Sequence, residues 1–273
     1  MSVTGIDVSY HNGDINWERV KKSGIEFAMI RTGYGIKSDS QIDKKFKQNI
    51  EGAKNAGIDV GVYHYSYANS SKQAVEEAKF CLEIISKYDI DYPVCYDIED
   101  SSLLQFNRQA KTDMCISFCD EIELAGYYAM IYCNVNWLNN HLYSDQLLNK
   151  YDLWLAQWYA EKPSIFCGMW QNTDKGIVDG ISGYVDIDVA YKDYKGIIQK
   201  ANLNHKSNTE QSKSESVKDI IDTENSTTYT VQKGDTLWGI AERFYGSGIL
   251  YTKIKIKNDM FTDKIIPGQI LKI

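Results

Sequence analysis

Up to about residue 200 the chain switches repeatedly between two hydrophobic periods. Residues 3–8 (VTGIDV) form a short apolar run that predicts a strand, and the polar stretch 10–14 predicts a loop. Ile15-Asn16-Trp17 opens a short helix through Lys22. Residues 26–32 (EFAMIRT) predict a second strand, followed by Gly33-Tyr34-Gly35, and residues 41–56 carry apolar positions at helical spacing as far as Gly57. The alternation continues with strand 58–65, helix 70–88, a strand through Tyr92-Pro93-Val94-Cys95 into Asp97, helix 108–125 stopped by Gly126, and strand 127–133. A helical stretch reaches about Lys150, and three short strand-like runs follow at 152–158, 168–171 and 183–190.

Five strand–helix units followed by shorter connections imply an α/β fold with a parallel sheet. A closed, irregular TIM-like barrel fits the length better than an open sheet, and no GxGxxG phosphate loop is present. From about Lys200 to Thr228, Ser, Asn, Lys, Glu and Thr dominate, with Val217, Ile220 and Ile221 the apolar exceptions, which predicts a flexible linker. Residues 229–273 turn apolar again and predict a small compact module. The expected division is therefore a barrel at 1–198, a linker at 199–228 and a module at 229–273.

Composition narrows the function. Of 273 residues, 43% are hydrophobic and 25% charged, as in folded soluble proteins, and the net charge of -7 argues against a nucleic-acid partner. The 20 tyrosines and 6 tryptophans suit sugar rings as well as they fill cores. No pair of the six cysteines has CxxC spacing, so buried thiols in a reducing compartment are expected, with no metal or other cofactor. The start, MSVTGIDVSYHNG, lacks the basic-then-apolar signature of a signal peptide, and no apolar run approaches membrane-spanning length.

The candidate chemistry sits at Tyr96-Asp97-Ile98-Glu99-Asp100. Side chains alternate along a strand, so Asp97 and Glu99 share a side. Each raises the other's proton affinity, which gives the acid-plus-anion pair that glycosidic cleavage uses. The competing reading is a strand end running into a solvated acidic turn. Asp7 also falls at a strand's C-terminal end, where barrels of this type carry their active sites. Of the strand residues Tyr63, His64 and Tyr65, either the tyrosines or the histidine face the cleft.

GIDVSYHNGDINW, the YDIE strand, and Trp170-Gln171 followed by Gly183-Tyr184-Val185-Asp186 together resemble the glycoside hydrolase family 25 lysozymes over about residues 3–195. The resemblance implies a barrel of five β/α units and three further strands. It also implies cleavage of the β-1,4 bond between N-acetylmuramic acid and N-acetylglucosamine in peptidoglycan glycan strands. By motif, Glu99 resembles the general acid and Asp97 its anionic partner, with Asp7 and Asp186 the other two carboxylates. Asp188 rivals Asp186, but the family usually has a neutral residue there. The resemblance favours Tyr63 and Tyr65 over His64, and it makes Arg31, Tyr34, Trp158 and Gln171 candidates for the sugar groove. The implied mechanism is retaining.

The segment YTVQKGDTLWGIA and the closing IPGQIL resemble a LysM module, a two-stranded sheet with two helices that binds N-acetylglucosamine-containing glycans. Gly234, Asp235, Thr236 and Leu237, with Ile265, Ile266 and Pro267, would form its groove, Asn258 lies between, and Trp238 and Ile240 are expected in its core. The whole looks like a phage endolysin released to the cell wall through holin lesions, or an autolysin exported unconventionally. A non-catalytic wall-binding barrel is the alternative, and the intact set Asp7, Asp97, Glu99 and Asp186 argues against it. A chitinase-like hydrolase would show a DxxDxDxE strand, which is absent.

Overall fold

The structure is a computed structural model that describes residues 2–36, 38–204, 228–245, 248, 251–258, 260 and 264–273. Most of the expected linker lies outside the described residues. Two compact units divide between residues 205 and 206.

In the first unit, seven strands run parallel from neighbour to neighbour: β1 (Val3–Val8), β2 (Phe27–Tyr34), β3 (Asp59–Tyr65), β4 (Val94–Asp97), β5 (Ala129–Asn134), β6 (Asp152–Ala156) and β7 (Met169–Gly176). The eighth, β8 (Val185–Ala190), closes the barrel antiparallel to both β7 and β1. The helices α1 (Trp17–Lys22), α2 (Phe46–Asn55), α3 (Ser71–Ile85), α4 (Arg108–Leu124) and α5 (Val135–Asn140) each follow one of the first five strands, as the alternation predicts. Two short helices, α6 (Ser144–Leu148) and α7 (Tyr194–Lys200), complete the unit.

Helix starts are set by side-chain caps. Asn16, Ser70, Asn107 and Asn134 each accept a backbone N–H from the first turn of the helix they precede. The second helix begins later than its periodicity predicts, at Phe46. Asp43 is drawn away because its carboxylate accepts the backbone N–H groups of Tyr10 and Lys45 and the Arg31 Nε–H.

Each strand is two-faced. Outward residues such as Ile6, Ile30, Val62, Val94, Ile131 and Leu153 join the helices in one apolar cluster. Inward residues fill the barrel with aromatics: Phe27 stacks on Tyr92 at 4.6 Å, and Trp154 meets Tyr132 at 4.6 Å and Tyr63 at 5.9 Å. At the N-terminal end of β6, Asp152 accepts from Tyr128, Tyr194 and Lys192, which ties that end of the barrel shut. All six cysteines are buried free thiols.

The described chain stays attached past the expected boundary at 198. Leu203 and Asn204 are buried, and Asn204 accepts the Tyr128 N–H at 2.8 Å and donates to the Tyr92 carbonyl at 2.8 Å. Asn204 adopts φ 62, which asparagine tolerates better than most residues. In the second unit, β9 (Thr228–Thr230) and β10 (Ile270–Lys272) pair antiparallel, with α8 (Leu237–Tyr245) and α9 (Tyr251–Lys257) between them in sequence. Val231, Leu237, Ile240, Ala241, Tyr251, Ile254, Leu271 and Ile273 form its core.

Gly5 faces the barrel interior directly beneath the Phe27 ring, and a Cβ there would collide with that ring. Gly5→Ala should therefore cost about 1–3 kcal/mol through overpacking, read as a lowered urea midpoint with an unchanged slope.

Candidate active site

The parallel strands end at one mouth of the barrel, and the antiparallel β8 begins there. Register pairs Asp7 of β1 with Asp186 of β8. This explains how a residue near the start of β8 joins residues at the ends of β1 and β4. Asp97 is the last residue of β4, and Glu99 lies just beyond it, half-buried, in the turn before Ser101. Asp7 is repelled by Asp186 and Asp97, Asp97 by Glu99, and Glu99 by Asp186, so the four carboxyls share this mouth of the barrel.

Burial dominates the proton affinities. It raises Glu99 above the usual carboxylate range, with Asp186 and Asp100 adding repulsion. Burial also pushes Asp97 well up, with Glu99 adding to it, while the Arg31 guanidinium pulls the other way. Asp186 rises to about 6, mainly through burial and then through Asp174. Asp7 and Asp188 both lie well above their ordinary values for the same first reason.

The tyrosines, not the histidine, face inward. Tyr63 packs on Trp154, and the Tyr65 hydroxyl donates to Asp100 at 3.0 Å. His64 points into the helix layer, fully buried, with Nε2 on the Gly35 carbonyl at 2.8 Å and Nδ1 against the Thr32 hydroxyl at 2.9 Å. Burial lowers it to about 4, so it stays neutral.

The remaining groove candidates divide. Arg31 is half-buried, with Nε and Nη2 both 2.9 Å from Asp43 Oδ2. Tyr34 is half-buried and edge-on to Tyr67 at 5.9 Å. Trp158 is exposed at the rim, and its indole donates to Gln171 Oε1 at 2.9 Å. Gln171 is buried behind the groove surface. Its Nε2 donates to Asp7 Oδ2 at 2.8 Å and its Oε1 also accepts from Tyr132, so it braces Asp7.

Glu77 was not singled out by sequence. It is fully buried on α3, accepts from Ser66, Tyr96 and the Tyr67 N–H, and so holds the loop after β3 against the back of β4. The Ser66 N–H donates in turn to the Asp97 carbonyl at 3.0 Å. The available signal was an acidic residue on the same apolar helix face as Ala74, Ala78 and Cys81.

In the second unit, Gly234, Thr236, Ile266 and Pro267 are exposed and Ile265 is half-buried. Asp235 turns inward to its own loop, accepting the Tyr229 hydroxyl and the Gln232 N–H, each at 2.7 Å. Leu237 is buried in the core, so its side chain does not line a groove. Ile240 is core as expected, but Trp238 is 42% exposed, because the core side of α8 is already filled by Leu237, Ile240 and Ala241. Asn258 clips α9 to β10 through Lys272. Among the described residues, no His, Cys, Asp and Glu group is arranged to hold a metal, and no helix is long and apolar enough to cross a membrane.

The family model "Glycosyl hydrolases family 25" matches residues 6–181, and "LysM domain" matches residues 229–273. The chain is 30% identical over 189 residues to the autolytic lysozyme of Clostridium acetobutylicum, covering 67% of this chain and 54% of that protein. It is 30% identical over 198 residues to lysozyme M1 of Streptomyces globisporus, covering 67% of this chain and 66% of that protein. The solved bacterial lysozyme from Streptomyces coelicolor matches with a TM-score of 0.64 at 26% identity, covering 75% of this chain and 98% of that one. The match thus spans about half the length of the clostridial relative.

Glu77 gives the site a measurable signature. Folding moves its carboxyl from the ordinary 4.5 to about 7, so the folded state favours the protonated form. That contribution is complete below the unfolded value and is lost as pH rises through about 7. Glu77→Gln should flatten the decline in urea midpoint between about pH 4.5 and 7. An unchanged decline would show that the carboxyl does not titrate there.

Proposed function

The chain belongs to glycosyl hydrolase family 25, and we propose that it is a peptidoglycan muramidase cleaving the β-1,4 bond between N-acetylmuramic acid and N-acetylglucosamine. The observation that carries the reading is the pair at the end of β4, a half-buried Glu99 beside a buried Asp97.

In the proposed mechanism Glu99 is the general acid. Burial and neighbouring carboxyls raise its affinity for the proton, and its half-exposed position lets it meet the leaving oxygen. Asp97 is the anionic partner that faces the positive charge growing on the sugar; burial and Glu99 raise its proton affinity, and the Arg31 guanidinium opposes them. Asp7 and Asp186 complete the carboxylate set, and the aromatic surfaces of Tyr63, Tyr65 and the rim residue Trp158 bound the sugar groove. The proposed outcome is retention of configuration at the anomeric carbon.

We further assign the second unit to wall anchoring by LysM. Gly234, Thr236, Ile266 and Pro267 are its exposed candidates for contact with N-acetylglucosamine. The barrel and this module act as separate domains joined through residues 205–227, and the protein works at the bacterial cell wall.

Glu99→Gln keeps the shape but removes the donor, so release of new muramic acid reducing ends should fall on the order of 10² to 10⁴-fold while the melting curve is retained. Near-normal turnover would remove Glu99 from this role. A chain ending after Asn204 should match the full-length rate on small soluble muropeptides but lag on intact sacculi, because a tethered binder raises only the local concentration of substrate. Equal losses on both substrates would mean that the tail belongs to the catalytic fold.

A further inference from the structure

Asp188 lies one layer below Asp186 on the same face of β8 and is fully buried. Its Oδ1 accepts the Trp154 indole N–H at 2.8 Å. Its Oδ2 is enclosed without an N–H or O–H donor among the described residues, and the Asp7 side chain, on the neighbouring strand, lies within hydrogen-bonding reach of the Asp188 carboxyl. Asp7 is likewise enclosed, with Oδ2 held by Gln171 Nε2. Ionised carboxylates are acceptors only, so two of them in this contact would repel with no bond to offset it.

No described cation relieves the pair. Asp188, Asp186 and Asp97 all raise Asp7, and Asp186 raises Asp188, while the hydrogen-bonding contact with Asp7 works the other way on Asp188. Arg31 on β2 acts on Asp97 and is already bound to Asp43. Tyr63 on β3 and Tyr132 on β5 are held neutral by burial, and Glu99 beyond β4 adds a further acid.

We propose that Asp7 and Asp188 hold one proton between them, and that Asp188 is a positioning residue that keeps Asp7 aimed at Gln171. This rests on the muramidase reading only for its effect on turnover. One proton turns the repulsion into a charge-assisted O–H···O⁻ bond and leaves the pair with a single negative charge. Gln171 is then fixed from below by Asp7, and it holds Tyr132 and the rim residue Trp158 from its other end. Asp188 thus sets the floor of the cleft without touching substrate.

The test uses the full chain and three forms: wild type, Asp188→Asn and Asp188→Leu. The asparagine keeps an acceptor for Trp154 and supplies a permanent N–H to Asp7, standing in for the protonated acid; leucine supplies neither. Infrared difference spectra of wild type minus Asp188→Asn at pH 7 should show one hydrogen-bonded carboxylic acid C=O band, and no substrate is involved. On muropeptides, Asp188→Leu should lose kcat on the order of tenfold to a hundredfold with KM little changed, and Asp188→Asn should recover most of that loss. Absence of the band overturns the shared proton. Equal impairment of the two variants overturns the positioning role. Failure of the wild type to cleave peptidoglycan would defeat the muramidase reading instead, leaving the infrared result to decide the proton.

Discussion

Negative charge crowded into a closed barrel is the condition to which the rest of this protein answers. Asp7, Asp97, Asp186, Asp188 and Glu99 gather at one mouth, and the nearby guanidinium of Arg31 is already bound by Asp43. Unpaired buried ions are costly, and groups in such places give up their charge. The barrel meets the condition with neutral donors as well as with protons: Gln171 serves Asp7, and the indole of Trp154 serves Asp188. The walls between them, Tyr63, Tyr132 and Trp154, are aromatic groups that do not add charge near neutral pH.

Topology delivers the carboxyls, and the helix layer holds them in place. Reversal of β8 sets Asp186 opposite Asp7. With eight parallel strands, a residue near the start of the last one would lie at the far end. Behind β3 and β4, Glu77 and His64 do opposite electrostatic work. Glu77 is raised to about 7 while accepting three donors, and His64 is kept neutral between Thr32 and Gly35. Both fix the backbone that carries Tyr63, Tyr65 and Asp97. The inner face can therefore remain polar because the outer face supplies the packing.

Local pattern was enough to read the alternation of strands and helices and to favour a closed barrel, whereas the βααβ form of the module came from its resemblance to LysM. It was less reliable where a side chain leaves its expected element for a distant partner. Asp43 withdraws from the first turn of α2 to bind Arg31, and Asn204 extends the barrel unit by joining residues near Tyr92 and Tyr128. At the site, motif spacing drew attention to Asp7, Asp97, Glu99 and Asp186. It could not show that Gln171 lies behind the groove, that Glu77 supports it, or that Leu237 is buried while Trp238 is exposed. Those facts depend on contacts across the fold, which periodicity does not encode.

On the proposed assignment, the crowding itself is useful to the reaction. The sugar rings flanking the scissile bond bring no cation, so their arrival removes water without relieving the repulsion among the carboxyls. Further desolvation strengthens Glu99's hold on its proton until the leaving oxygen becomes basic enough to take it. Positive charge then grows on the sugar above Asp97, and the same cluster that was costly beside an uncharged ring becomes favourable. Because the carboxyls are already fixed by Gln171, Trp154 and the loop held by Glu77, little reorganisation is needed when that charge appears. The stabilisation therefore falls on the transition state rather than on the bound glycan, which is the condition for raising turnover instead of merely tightening binding.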